Sequence, residues 1–133
     1  MAGKYLMILC DTNILIEFYK DNSKVVNEFH RLGISQLSIS SITQAELYYG
    51  AINKNELQKI KKHLGLLSIF PVDVLISTKF IELMETYSLS HKLSIPDALI
   101  ASTAIVYSLD LYTFNLKDFR FITGLNLHSN NFS

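Results

Sequence analysis

The sequence is poor in the residues that mark several protein classes. Of its 133 residues one is cysteine, two are proline, five are glycine and none is tryptophan. A single thiol, Cys10, cannot form an internal disulfide or a cysteine zinc cage, so a reducing compartment is expected. So little proline and glycine excludes collagen-like or linker-like character. Neither sign of charge is in excess: twelve Lys and Arg balance twelve Asp and Glu. That argues against a chain-wide basic coat for duplex DNA but not against a local basic patch. Long apolar runs are missing too. The N-terminal run Tyr5–Cys10 is ended by Asp11, too short for a signal-peptide core or a membrane span. A soluble cytoplasmic protein is the expectation. No internal repeat and no Gly-rich phosphate loop is present.

What is there is apolar patterning. The chain is 49% hydrophobic and 18% charged, too apolar for disorder and long enough for one domain with a real core. Residues 5–10 read as a strand covered on both faces. Helices are predicted over 14–19 after the cap-type Thr12 and Asn13, through Leu32 with Ser23 as its cap and Gly33 closing, over 44–52 and over 55–67. Short strands are predicted over 36–39, 69–72 with Pro71 marking an edge, 111–114, and around 125–128. Ile76, Phe80, Leu83, Met84 and Tyr87 give a helix over 76–87, and a helix over about 97–109 is apolar on most sides. Strands alternating with helices predict an α/β fold with a small, mostly parallel sheet. Ligands of such sheets bind beyond the carboxyl ends of the strands.

Four acids stand near predicted strand ends or helix starts: Asp11, Glu46, Asp97 and Asp118. Each has an ordinary reading. Asp11 and Asp97 suit helix starts, Glu46 a solvated helix face, Asp118 a turn. Together they offer an oxygen-only donor set of the kind that Mg²⁺ or Mn²⁺ prefers. Such an ion can activate water and steady a phosphate. The four histidines, His30, His63, His91 and His128, lack zinc spacing and are expected at the surface. Lys59, Lys61 and Lys62 read as a solvated helix face. Lys92, Lys117 and Arg120 flank the acids and are the better phosphate contacts. Tyr48, Tyr49 and Tyr107 are expected in a core or a subunit interface, and Cys10 in the core.

The stretches LCDTNILIEFY, ISSITQAELYYGA and IPDALIASTAIVYSLDLYTFNLKDF resemble the PIN domain, and more closely the VapC-type toxins of bacterial toxin–antitoxin pairs. The resemblance runs from about residue 6 to about residue 128. It implies an α/β/α sandwich and one ribonuclease domain over 1–133. It also implies an Mg²⁺- or Mn²⁺-dependent endoribonuclease, a VapB-like antitoxin and a homodimer. Asp11, Glu46 and Asp97 fall on the family's three core acids. In the last motif many relatives carry an acid two residues after the threonine. Here Thr113 is followed at that distance by Asn115, and Asp118 matches the acid of the variant that has Asn there. Asn13 and Thr113 match polar positions that orient carboxylates or water. A phosphoacceptor signalling domain built on Asp73, with Thr113 and Lys117, is the competing reading. It leaves Glu46 and Asp97 unexplained. A PIN-like module without catalysis is the other.

Overall fold

The computed structural model describes residues 7–129. Strand β1 is Ile8–Cys10; Tyr5 and Leu6 of the expected strand lie outside the described residues. Helix α1, Thr12–Tyr19, follows at once, then α2, Ser23–Leu32, and a 3-10 turn. Strand β2, Leu37–Ser40, leads into α3, Ser41–Tyr49, and α4, Lys54–Leu64. Strand β3, Ser68–Phe70, precedes α5, Val74–Tyr87, and α6, Ile95–Val106. Strand β4 is Asp110–Tyr112, followed by a second 3-10 turn, Leu116–Asp118.

The four strands are all parallel in the order β3-β2-β1-β4. Pro71 thus follows an edge strand, as expected. The order reverses at β1, whose neighbours are the second and the last strand. The carboxyl end of β1 is therefore the switch point at which open α/β sheets bind ligands. The expected strand over 125–128 is reduced to one parallel bridge, Leu111 with Leu127.

Side chains alternate along β1. Ile8 and Cys10 pack with Ile14 and Leu15 of α1, Phe29 of α2 and Leu64 of α4. Leu9 packs on the opposite face with Leu83 of α5 and Ala98, Ala101 and Ala104 of α6. A period of two puts successive residues into different layers, which is why this strand is apolar throughout. The result is an α/β/α sandwich. Cys10 lies in the core, and burial, with Asp11 beside it, pushes its thiol well above the usual range.

Helix starts follow local chemistry more closely than the sequence pattern indicated. Asp11 caps α1, not Thr12 or Asn13, and Asn22 rather than Ser23 caps α2. Gly33 ends α2 at φ +85°, a conformation open to glycine at little cost. Helix α6 starts at Ile95 because Ser94 accepts the Asp97 N–H and Pro96 occupies the first turn, where its missing N–H costs nothing.

Two histidines are not surface residues. His128 is 9% exposed and its Nε2 lies 2.5 Å from Oε2 of the fully buried Glu28. Arg31 holds the same carboxylate with two bonds of 2.7 and 2.6 Å, and Arg31 foremost keeps that carboxyl below its ordinary value. His63 is half-buried, stacked on Phe18, and burial lowers its pKa. His30 and His91 are exposed, as expected. Of the tyrosines, Tyr48 packs against the core, while Tyr49 and Tyr107 are exposed. Among the described residues no helix is long and apolar enough to cross a membrane.

Candidate active site

Asp11 ends β1 and begins α1, so both its backbone and its carboxylate are fixed. Its N–H donates to the Tyr112 carbonyl at 2.9 Å, continuing the β1–β4 ladder by one residue. Its Oδ1 accepts from Thr12 N at 2.8 Å and its Oδ2 from the Thr113 hydroxyl at 2.8 Å. The carboxylate is buried. Thr113, the residue after β4, also accepts from Asn115 N at 3.0 Å. Asn13 reaches the same segment, with Nδ2 3.5 Å from Thr113 Oγ1 and Oδ1 accepting from Phe114 N at 3.4 Å. Asn13 and Thr113 thus act on the geometry of Asp11 and of the chain leaving β4.

Glu46 lies on the exposed side of α3 and is brought to Asp11 by a threonine relay. The Thr12 hydroxyl donates to Glu46 Oε1 at 2.6 Å and sits 3.0 Å from the hydroxyl of the buried Thr43. The relay role of Thr12 and Thr43 does not follow from the sequence pattern alone. The sequence still carries a signal: Thr12 stands between Asp11 and Asn13 in D-T-N, and Thr43 stands three residues before Glu46 in S-x-x-T-x-x-E. Asp97 stands at the third position of α6 and is half-buried. Asp118 is in the 3-10 turn after β4 and exposed, and the neighbouring Asn115 is exposed as well.

The acids feel one another. Burial first of all pushes the Asp11 carboxyl up; the Thr113 and Thr12 hydrogen bonds oppose it, and the charges of Glu46 and Asp118 add to it. Burial likewise pushes Asp97 up, to about 6, with Asp11 the next contributor, Ser94 opposing, and Asp118 and Glu46 adding. Asp11 and Glu46 are joined through Thr12, Asp97 and Asp118 border one cavity, and the charges of Glu46 and Asp118 reach both Asp11 and Asp97. Among the described residues no Lys, Arg or His forms an ion pair with any of them. As the side chains stand, no three described His, Cys, Asp or Glu converge closely enough to hold one ion. The donor chemistry fits a hard divalent cation: four carboxylates, two of them raised by desolvation and repulsion that their hydrogen bonds only partly offset.

Asp73 does not join this group. It caps α5 by accepting from Ile76 N at 2.9 Å and takes a hydrogen bond from the Tyr107 hydroxyl. It is thus engaged as a structural cap, which removes the basis for a phosphoacceptor role. Lys92 and Lys117 lie beside Asp97 and Asp118 along one cavity; Arg120 is exposed and does not line it.

The support given to Asp11 is testable. Thr113→Val removes the hydroxyl that donates to a buried carboxylate oxygen. A loss of about 1–3 kcal/mol in urea unfolding at pH 7 is expected. The loss should shrink on acidification, since a protonated Asp11 no longer needs that donor.

The PIN domain family model matches residues 8–123. None of the curated proteins compared matches the chain. Among solved structures, a toxin–antitoxin complex from Klebsiella pneumoniae is 31% identical, with a TM-score of 0.78 over 92% of this chain and 97% of that one. DNA-bound VapBC from Salmonella typhimurium is 26% identical, with a TM-score of 0.82 over 94% and 98%. VapBC2 from Rickettsia felis, bound to a promoter DNA fragment, is 28% identical, with a TM-score of 0.79 over 92% and 98%. With a family match over most of its length, a parallel sheet of the matching fold and these structural neighbours, the chain belongs to the PIN domain family and is of the VapC type.

Proposed function

We propose that residues 1–133 form one ribonuclease domain that cleaves RNA internally with Mg²⁺ or Mn²⁺, as the toxin of a type II toxin–antitoxin pair in the cytoplasm. The observation that carries this reading is the group of four carboxylates near the switch point of the sheet, none of which forms an ion pair with a Lys, Arg or His among the described residues. Asp11 and Asp97 would hold the metal, with Glu46 aligning the water and Asp118 supporting a second ion or a ligand water. Bound there, such an ion lowers the pKa of water and offsets charge on the phosphate.

The chain's own residues supply order. Asp11 is held by Thr12 and Thr113, so its two oxygens keep one orientation. Thr12 ties Glu46 to the strand end, which limits where a water bound to Glu46 can stand. Attack of water in line with a departing 3′-oxygen leaves a 5′-phosphate and a 3′-hydroxyl. A VapB-like antitoxin would restrain the activity, in keeping with the complexes formed by the structural neighbours. A homodimer would cover apolar surface on α5, where Val74, Leu75 and Ile81 are 80, 62 and 54% exposed.

The test is incubation of total RNA with the purified chain, with and without Mn²⁺, followed by mapping of 5′-phosphate ends. Discrete cuts that need Mn²⁺ are expected. Intact RNA, or cuts indifferent to EDTA, would overturn the reading. Asp118→Asn should lower the rate about tenfold, far less than changes at Asp11 or Asp97, because the exposed Asp118 is the acid least constrained by its surroundings. A loss equal to that of Asp97→Asn in the same cleavage assay would place Asp118 among the principal ligands.

A further inference from the structure

Beside the acids lies a cavity of about 330 Å³ between the turn joining α5 to α6 and the segment after β4. Its walls differ in character. Asp97 and Asp118 border it, Lys92 and Lys117 reach it from either segment, and His91 and Phe121 close it as an aromatic wall. His91 stacks on Phe121 with centroids 4.0 Å apart and planes 7° from parallel. Tyr87 meets both rings edge-on. Tyr87 is itself pinned by Thr123, whose N–H donates to the phenol oxygen at 3.1 Å. Ser90 Oγ lies 2.8 Å from His91 Nδ1 and fixes the ring from the other side. Lys92 has φ +53°, so the chain turns sharply there. Among the described residues neither Lys92 nor Lys117 forms an ion pair.

Two exposed lysines lining one cleft, with a braced aromatic wall, match the needs of a nucleotide. A phosphate takes the point charges and a base takes the flat apolar face. From this juxtaposition we infer that the cavity is a subsite for one nucleotide of the RNA chain next to the cleaved phosphate. Its phosphate lies between Lys92 and Lys117 and its base against the His91–Phe121 stack. The inference rests on the ribonuclease reading and adds to it where the neighbouring nucleotide is held. The lysines also offset the repulsion that Asp97 and Asp118 exert on an approaching polyanion.

The test uses the full chain and a labelled single-stranded RNA. Binding is followed by fluorescence anisotropy with Ca²⁺ in place of Mg²⁺, over 50–200 mM KCl, and cleavage by kcat and KM with Mg²⁺. Lys92→Asn is chosen because asparagine tolerates positive φ; it is combined with Lys117→Gln. Each lost phosphate contact on a single strand lowers the slope of log K against log salt by about 0.7, so the double variant should lose about 1.4. Its KM should rise at least tenfold with little change in kcat. His91→Ser should raise KM about fivefold, the low end for one stacked base, without changing the salt slope. Lys61→Gln on the exposed side of α4 serves as the charge control and should alter neither quantity. Unchanged slope and KM in the lysine variant, while the unaltered chain binds and cleaves RNA, would overturn the subsite and leave the ribonuclease reading intact. An equal effect from Lys61→Gln would overturn it too. An unaltered chain that neither binds nor cleaves RNA would overturn both.

Discussion

Asp11→Asn should abolish RNA cleavage, by at least about a thousandfold, and leave the fold in place. The magnitude follows from removing a charged ligand at a site where the cation contributes several kcal/mol to the transition state. The intact fold follows from what the side chain does locally. Asparagine caps helices as well as aspartate does, so the acceptor for Thr12 N survives at the start of α1. The amide NH₂ would face Thr113, whose hydroxyl oxygen can accept. Burial of a neutral group in place of a raised carboxylate removes a cost rather than adding one. Asp97→Asn should behave alike, since Ser94 still caps α6 through the Asp97 backbone N–H. Circular dichroism and a Mn²⁺-dependent cleavage assay on the same preparations provide the check. A variant with native spectrum and undiminished cleavage would remove Asp11 or Asp97 from the reaction.

The sequence reveals these two acids because of where they fall. Asp11 at the end of an apolar strand and Asp97 directly after Pro96 each suit an ordinary helix start, and what singles them out is their place in the ordered motifs that resemble the PIN domain. The alternation of strands and helices was legible for a different reason: buried parallel strands are short and apolar throughout, and the helices carry a helical period. Contacts between distant segments were not legible. The relay from Thr12 to Glu46 joins residues 34 apart in the chain, and the bond from Thr113 to Asp11 spans 102. His128 reads as a surface residue until its pairing with Glu28, 100 positions away, is known. Glu28 itself sits in a polar stretch, K-V-V-N-E-F-H-R, that gives no hint of complete burial. Helix starts shifted by one to three residues because the capping side chain, and not the first apolar residue, sets the boundary. The strand expected over 125–128 shrinks to one bridge, in which the Leu111 N–H donates to the Asn126 carbonyl and the His128 N–H to the Leu111 carbonyl.

Metal and pH should act on stability through the same carboxylates, with opposite sign. Asp97 titrates near 6 in the folded chain against 3.8 for an ordinary aspartate, and Asp11 is also raised. Between these values the folded chain holds more protons than the unfolded one, so stability falls as pH rises through about 4 to 6 and the full cost is present at pH 7. For a half-buried carboxyl screened by solvent, the cost is on the order of 1–2 kcal/mol. His63, Glu28 and Asp73 run the opposite way. His63 has a lowered pKa, so its contribution is lost as pH falls below the ordinary histidine value of 6.5. Glu28 is lowered too, and its contribution is lost as pH falls from the ordinary value of 4.5. Wild type alone would therefore mix these effects with that of Asp11, and comparison with Asp97→Asn isolates the one at Asp97. In EDTA at pH 7 the variant should be the more stable by about 1–2 kcal/mol, and this advantage should fade towards pH 5 as wild-type Asp97 takes up its proton. Saturating Mn²⁺ should reverse the order, because a ligand bound only by the folded state at a hundred times its dissociation constant adds about 2.7 kcal/mol to wild type. Melting curves of both proteins at pH 5 and 7, each in EDTA and in Mn²⁺, measure all of these terms. If wild type melts at one temperature in both media and the substitution brings no gain in EDTA, Asp97 is not part of a repelling, cation-binding cluster.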